Sequence, residues 1–367
     1  MKRSVCSILL FATSAFAAVS VSSPTNNSKV PAPVHFAATA TTGCSTGVSS
    51  MGIYTAPFVL AYKVSGSSLN TYLSLPAGTY NTVVQGWDKC GGSSKTAVTI
   101  TVSSGSTVPA SGHVFVVLEE NHGYSSVIGS SSMPYLNSLA SKYGLATQYY
   151  ANTHPSIGNY FMLTAGQIIT NNDSFSGTVS VPDIVTALDA ARQTWKSYAE
   201  SLPSAGYTGC GSGSYVKRHN PLAYFSDVAN SSEKLNLVPF TRFSTDRVNN
   251  TLPNFSFIVP NLLHDAHDGT LSAADSWLKT NIAPLIASAT FQKDGILIIV
   301  FDESFNTDTA HVGGHVATVV IGPKAKLGYK STTLYQHQNT LKTVMKALGL
   351  SSFPGAASGA QDMGEFF

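Results

Sequence analysis

Three short apolar runs constrain the fold more than anything else in the chain: HVFVVL at 113–118, NFSFIVP at 254–260 and GILIIVF at 295–301. Unbroken apolar runs of this length suit strands buried on both faces, as in a parallel sheet covered by helices. Helical periodicity fills the gaps, at MPYLNSLASKY, VPDIVTALDAAR and AADSWLKTNIAPLIASA. A further strand, HVATVVIG, and a last helix, QNTLKTVMKALG, complete the pattern. Strands alternating with helices predict a three-layer α/β/α domain with a mostly parallel sheet over 113–367.

The polar residues just past each run carry the chemistry. The first run ends in Glu119, Glu120, Asn121 and His122, and the third in Asp302 and Glu303. The second ends in Asn261, with His264, Asp265, His267 and Asp268 close behind. In open α/β sheets, ligands bind beyond the carboxyl ends of the strands. Carboxylates crowded onto one rim repel and retain protons unless a cation neutralises them, and a divalent metal is the simple solution. Each pair alone reads equally as a turn or a helix cap.

A serine belongs to the same rim. ANTHPSIGNYFMLTAG, at 151–166, is a polar turn with His154, Pro155 and Ser156 that runs into an apolar helical face at Tyr160, Phe161 and Leu163. The Ser156 hydroxyl is therefore expected at a helix N-terminus, where free N–H groups and the dipole favour an anion. A serine there also serves as a simple N-cap. His315 opens the HVATVVIG strand, and if that strand ran antiparallel its start would share the rim. His219 comes directly after Lys217 and Arg218, and suits a phosphate contact or a general acid. His311 and His337 read as surface or structural residues.

The rest of the chain has another texture. TYNTVVQGW and KTAVTITV, between Gly, Pro, Asn and Ser turns, predict a small immunoglobulin-like β domain over 25–104, with a linker at 105–112. This module suits a spacer, or an attachment device that binds a surface. Lys2 and Arg3, a short apolar core and Ala15-Phe16-Ala17 read as a signal peptide over 1–17, so the protein is expected to be secreted or periplasmic. No later run has the roughly 18 unbroken apolar residues of a spanning helix. Cys44 and Cys90 lie within one segment between Gly/Ser turns and are expected to pair, a loop closure worth about 4 kcal/mol. Cys210 is left as a free thiol. A formal charge of +2, with no basic run, offers nothing to nucleic acid.

Six ordered blocks, VVLEENHGYSSVIG, THPSIGNYFMLTAG, YVKRHNPLAYF, FSFIVPNLLHDAHDG, IIVFDES and GGHVATVVIGP, resemble the bacterial phosphoesterases that include secreted acid phosphatases and phospholipases C, within the alkaline phosphatase superfamily. The resemblance implies one divalent metal (Ca, Mg, Mn or Zn) held by Glu120, Asn121, Ser156, Asp302 and Glu303. It implies Ser156 as the nucleophile, activated by the metal, and a phosphoserine intermediate. It places His219, His267 and His315 around the transferred phosphate, with Asn159, Asp265 and Asp268 contacting substrate. Where the family usually has proline, Gly158 stands here, and glycine is expected to loosen the turn. Leu263 and Gly269 stand where relatives often carry cysteines.

The expected activity is hydrolysis of phosphate monoesters, with a phosphoinositide head group among the candidate substrates. The alternatives are a phospholipase C acting on lipid phosphodiesters, which would need an apolar apron at the rim, and a non-catalytic surface-binding protein. The presence of all five metal and nucleophile residues weighs against the last.

Overall fold

The computed structural model describes residues 18–367 apart from 31, 33, 74 and 103–106. The expected signal peptide lies outside the described residues, as does the start of the expected linker, 105–106. The chain divides into two compact units, Met1–Gly105 and Ser106–Phe367.

The described part of the first unit is all β. One sheet has three strands, Ala18–Ser23, Val34–Thr41 and Ser68–Leu73; the other has five, with Val59–Ser65 at one edge. Val34–Thr41 alternates buried and outward-facing residues, the signature of a strand with one face on a core. Phe36, Met51, Ile53, Leu69, Val84 and Ile100, from both sheets, fill that core. The Cys44–Cys90 disulfide forms as expected, and Cys210, in the second unit, is a free exposed thiol.

The second unit is built on an eight-stranded sheet: β1 (Val114–Glu119), β2 (Gly144–Ala146), β3 (Trp195–Ala199), β4 (Leu237–Pro239), β5 (Phe255–Val259), β6 (Ile296–Phe301), β7 (Thr318–Ile321) and β8 (Lys330–Ser331). Their order is β4-β3-β5-β1-β6-β7-β2-β8. The three apolar runs become β1, β5 and β6, adjacent, parallel and buried at every residue. β7 runs antiparallel to β6, so its start meets the ends of the central strands. β3 escapes the sequence pattern because WKSYA has no apolar run. Its polar residues are satisfied inside: Ser197 Oγ donates to Asn220 Oδ1 at 2.7 Å, and Lys196 Nζ pairs with Asp246 at 2.5 Å.

The principal helices are α1 (Pro134–Lys142), α2 (Ser156–Ala165), α3 (Ile184–Ala190), α4 (Leu271–Ile286) and α5 (His337–Ala347). Asp183 caps α3 and Thr270 caps α4 through side-chain oxygens, as polar residues before apolar periodicity should. Every residue of α2 is buried, which fixes its first turn against the sheet. Among the described residues no helix is long and apolar enough to cross a membrane.

Candidate active site

The end of β1 turns sharply. Asn121 sits at φ 45°, a left-handed conformation that asparagine tolerates better than most residues. The turn is pinned on both sides: the Glu120 N–H donates to the Asp265 carbonyl at 2.7 Å, and the Asn121 N–H to Asp302 Oδ1 at 3.3 Å. The ends of β5 and β6 thereby position the two residues just past β1.

Ser156 is the first residue of α2, not its cap. Pro155 holds the cap position and no side chain caps that end. The Ser156 hydroxyl instead lies 3.0 Å from Glu120 Oε2, 3.0 Å from Glu303 Oε1 and 3.4 Å from Asn121 Oδ1. It has one proton and three acceptors. The N-cap alternative is thus excluded, and the hydroxyl is the centre of an oxygen cage.

A divalent cation fits this cage. Among the described residues, buried Asp302 Oδ2 has no hydrogen-bond partner. The Asn121 carbonyl oxygen faces acceptors, and only a turned-over amide would donate, to Glu120 Oε2 at 3.2 Å and Glu303 Oε1 at 3.1 Å. Oxygens converging this way, with one hydroxyl proton for several acceptors, suit a cation's ligand set, and an all-oxygen set suits Ca²⁺, Mg²⁺ or Mn²⁺. The electrostatics agree. Burial, then the Asp302 and Asp265 charges, holds the Glu120 carboxyl well above its usual range. Burial and the neighbouring Glu303 do the same to Asp302, and burial pushes Glu303 up to about 7 against the Ser156 hydroxyl.

A nitrogen-rich wall adjoins the cage. His219 is 1% exposed, with Nε2 3.4 Å from Glu120 Oε1 and Nδ1 3.3 Å from Asp265 Oδ2. Neither contact has hydrogen-bond geometry, so both ring nitrogens lack a partner among the described residues. Burial, then the Arg218 and His267 charges, holds this imidazole well below its usual range and therefore neutral. His267 lies beside it, ring centroids 5.6 Å apart, with its Nδ1 on Asp268 at 2.7 Å. Glu120, His219 and His267 each offer a ligand atom within 4.8 Å of the others, so the cage and the wall share Glu120.

Other expected residues are used differently. Asn159, expected at the substrate, is fully buried and spent on the turn before Ser156: Oδ1 accepts from the Asn152 and Thr153 N–H groups at 2.9 and 3.1 Å, and Nδ2 donates to the Thr153 carbonyl at 2.8 Å. It shapes the nucleophile turn, with Oδ1 and one Nδ2 donor spent on backbone groups. Asp265 and Asp268 direct their carboxylates at His219 and His267. His315 is stacked between Tyr124 and Tyr150, centroids 4.3 and 4.8 Å away, with Nε2 on the Thr147 carbonyl at 3.1 Å. These contacts do not reach the cage. His337 is structural: buried, it donates to the Asp302 carbonyl from Nε2 at 2.6 Å.

Gly158 reverses its expectation. A Cβ there would lie 2.3 Å from Asn171 Oδ1 and 2.6 Å from Thr153 Cγ2. Glycine permits close packing of a loop on α2, which tightens the nucleophile turn. Several further residues belong to the site. His154 Nδ1 bonds Glu303 Oε2, and Tyr160 donates to Glu120 Oε1 while stacking on His219 at 5.1 Å. Asp173 accepts from the Ile157 N–H at 3.3 Å and faces Arg218 at 3.8 Å. The helical spacing of Ser156 and Tyr160 is the one sequence signal for Tyr160; the others meet the site only through tertiary contacts.

A serine hydroxyl in a carboxylate cage, at a helix N-terminus on the carboxyl rim of an α/β sheet, defines a hydrolase of phosphoric esters. The chain belongs to the Phosphoesterase family, which it matches over residues 130–351. Ser156, His219, His267, Asp302, Glu303 and His315 lie inside that span, while Glu120 and Asn121 precede it. The chain is 33% identical over 249 residues to a phosphatidylinositol-3-phosphatase of Mycobacterium tuberculosis, covering 67% of this chain and 79% of that protein. It is 32% identical to a probable acid phosphatase of Kluyveromyces lactis and 32% identical to an acid phosphatase of Aspergillus fumigatus. Those matches cover 63% and 65% of this chain, and it spans only 56% and 55% of the fungal proteins. Among solved structures it is similar to a protein in the alkaline phosphatase superfamily from Vibrio parahaemolyticus, with 14% identity, 68% of this chain and 70% of that chain covered, and a TM-score of 0.49.

Proposed function

We propose that this protein is an exported, metal-dependent phosphomonoesterase acting through a phosphoserine at Ser156, with phosphoinositide head groups among its substrates. One observation carries the reading: the Ser156 hydroxyl, free of any capping duty, stands 3.0 Å from two carboxylate oxygens of a buried cage.

Glu120, Asn121, Ser156, Asp302 and Glu303 would hold the cation, which lowers the hydroxyl pKa and offsets charge on the phosphoryl oxygens. The Ser156 proton has acceptors at Glu120 Oε2 and Glu303 Oε1. Oγ then attacks phosphorus, the bond to the ester oxygen breaks, and the departing alkoxide takes a proton from solvent water, whose hydroxide takes up the proton released from Ser156. The positive end of the α2 dipole would favour the incoming phosphate, although the Ile157 N–H bonds Asp173 at 3.3 Å. Neutral His219, aligned by Asp265 and by stacking on Tyr160, and His267, held by Asp268, line the side where a phosphoryl oxygen would sit. Water attacks the phosphoserine in the second half-reaction and Ser156 is restored. His315 enters this scheme as an outer contact only.

The substrate proposal draws on the mycobacterial relative's name. It also draws on two exposed apolar side chains on site loops, Phe305 at 47% and Leu263 at 49%, which give a lipid-borne phosphate an apolar margin. Export is proposed from the N-terminal pattern together with the Cys44–Cys90 disulfide.

The test is hydrolysis of p-nitrophenyl phosphate, phosphatidylinositol 3-phosphate and phosphatidylcholine, with and without a chelator, beside Ser156→Ala. Phosphate release from the first two, abolished by chelator and variant alike, is expected. Diacylglycerol release from phosphatidylcholine alone would replace the reading with a phospholipase C.

A further inference from the structure

The strands Val48–Ala56 and Val59–Ser65 of the first unit form a hairpin closed by Pro57 and Phe58. The six residues from Ala56 to Ala61 are all apolar and all exposed. Phe58 is 99% exposed, Val59 52% and Leu60 45%. Phe58 also sits at φ 64°, a conformation that suits glycine or asparagine and costs a bulky aromatic. At that exposure the ring buries almost nothing within its own unit. The chain accepts both strain and exposure at one residue, which points to a partner outside it.

The chemistry behind the tip says which partner. Leu60 and the Trp87 ring both lie over Gly52, Lys63 Nζ lies 5.2 Å over the Trp87 ring, and Tyr54 stands 6.4 Å from it. Trp, Tyr and Lys just behind an apolar tip form the graded sequence that matches a lipid interface. Residues 18–105 carry four lysines and one aspartate, with no arginine or glutamate, a formal charge of +3. That aspartate, Asp88, is occupied by the Cys90 and Gly92 N–H groups at 2.9 and 2.7 Å and by the Thr42 hydroxyl at 2.9 Å. A two-residue turn is convex, so it offers little area to a rigid protein surface but enters a fluid one.

We propose that the first unit docks on anionic lipid bilayers by inserting the Pro57–Leu60 tip, with Lys63 of the same hairpin toward the head groups. The proposal is independent of the hydrolase reading, because its readout is binding and not turnover.

The experiment is flotation of the full-length chain with vesicles of equal parts phosphatidylcholine and phosphatidylglycerol, with pure phosphatidylcholine vesicles, and across a salt series. The wild type is expected to float with the mixed vesicles, less with the neutral ones, and less as salt rises. Phe58→Ser and Phe58→Gly are expected to lose roughly tenfold or more in partitioning, the scale of one buried aromatic, while Phe58→Trp retains binding. Phe58→Gly relieves the φ strain, so its melting temperature should not fall, which separates lost docking from lost folding. Wild-type protein that ignores both vesicle types, or Phe58→Gly that floats like wild type, overturns the proposal. Dimerisation through the tip without vesicle binding overturns it too, in favour of a second copy of the chain.

Discussion

Glu303 is held from both ends: His154 Nδ1 bonds its Oε2, and its Oε1 meets the Ser156 hydroxyl at 3.0 Å. His154 is anchored in turn, its Nε2 donating to the Asp308 carbonyl at 3.0 Å. That bond leaves Nδ1 as the atom facing the carboxylate and fixes the angle at which Glu303 enters the cage.

His154→Ala should therefore weaken metal binding by about tenfold to a hundredfold, the usual cost of losing an outer partner of a ligand. Activity should return as the metal concentration is raised, measured as kcat at saturating substrate against added cation. Activity lost at every metal concentration would mean that His154 touches the reaction itself.

Gly158→Ala puts a methyl 2.6 Å from Cγ2 of buried Thr153, a clash that, unlike the one with the exposed Asn171 side chain, cannot be relieved by a simple swing. Overpacking of this kind costs about 1–3 kcal/mol, and here it falls two residues from Ser156. The melting temperature should drop and kcat should fall at least as steeply as stability requires. An unchanged melting temperature would restore the view of Gly158 as a flexible residue.

Arg218 faces His267 Nε2 at 3.4 Å from one terminal nitrogen, and its Nε is buried without a hydrogen bond among the described residues. With Asp173 it flanks the start of α2. Arg218→Ala should raise KM for a dianionic monoester by about tenfold, the scale of a charge-assisted hydrogen bond, and leave kcat closer to wild type. Arg218→Lys should recover only part of the loss. A kcat effect without a KM effect would place Arg218 outside substrate binding.

The metal-free protein should lose stability as pH rises from about 4 through about 7. Burial raises Glu303 and Asp265 to about 7 in the fold from ordinary values of 4.5 and 3.8, and holds Glu120 and Asp302 well above their ordinary range. A raised folded pKa stabilises below the unfolded value and is lost as pH climbs through the folded one. His219, His315 and His337 carry the opposite sign, because burial depresses them, so their cost appears only below their usual 6.5. Added divalent cation should then raise the melting temperature more at pH 8 than at pH 5, since binding must displace those carboxyl protons. Thermal melts at both values, with and without cation, decide it. An equal gain at both would mean that the cation binds elsewhere.

The central sheet and its rim of carboxylates are legible in the sequence because both rest on local pattern, whereas grouping Ser156 and Asn121 with those carboxylates rests on the resemblance to the phosphoesterases. β1, β5 and β6 are predominantly apolar runs, β5 broken only by Ser256, and the polar residues at and just past their ends must lie on the rim. β3 is not, since Lys196 and Ser197 are satisfied by Asp246 and Asn220, partners that only the fold supplies. Asn159 shows the same limit. An amide near a nucleophile has the right chemistry for substrate, and nothing in the sequence reveals that three backbone groups of 152–153 already occupy it. Gly158 misleads for a related reason: absence of a side chain reads as freedom until the neighbour that fills the space is known.

The most direct test of the account is acid quenching of the enzyme during turnover of p-nitrophenyl phosphate, with mass spectrometry of the peptide that contains Ser156. A phosphate adduct on Ser156 is predicted in the wild type, absent after chelation and absent from Ser156→Ala, which should also be inactive. Turnover by Ser156→Ala at the wild-type rate, with no adduct on the wild-type peptide, would contradict it.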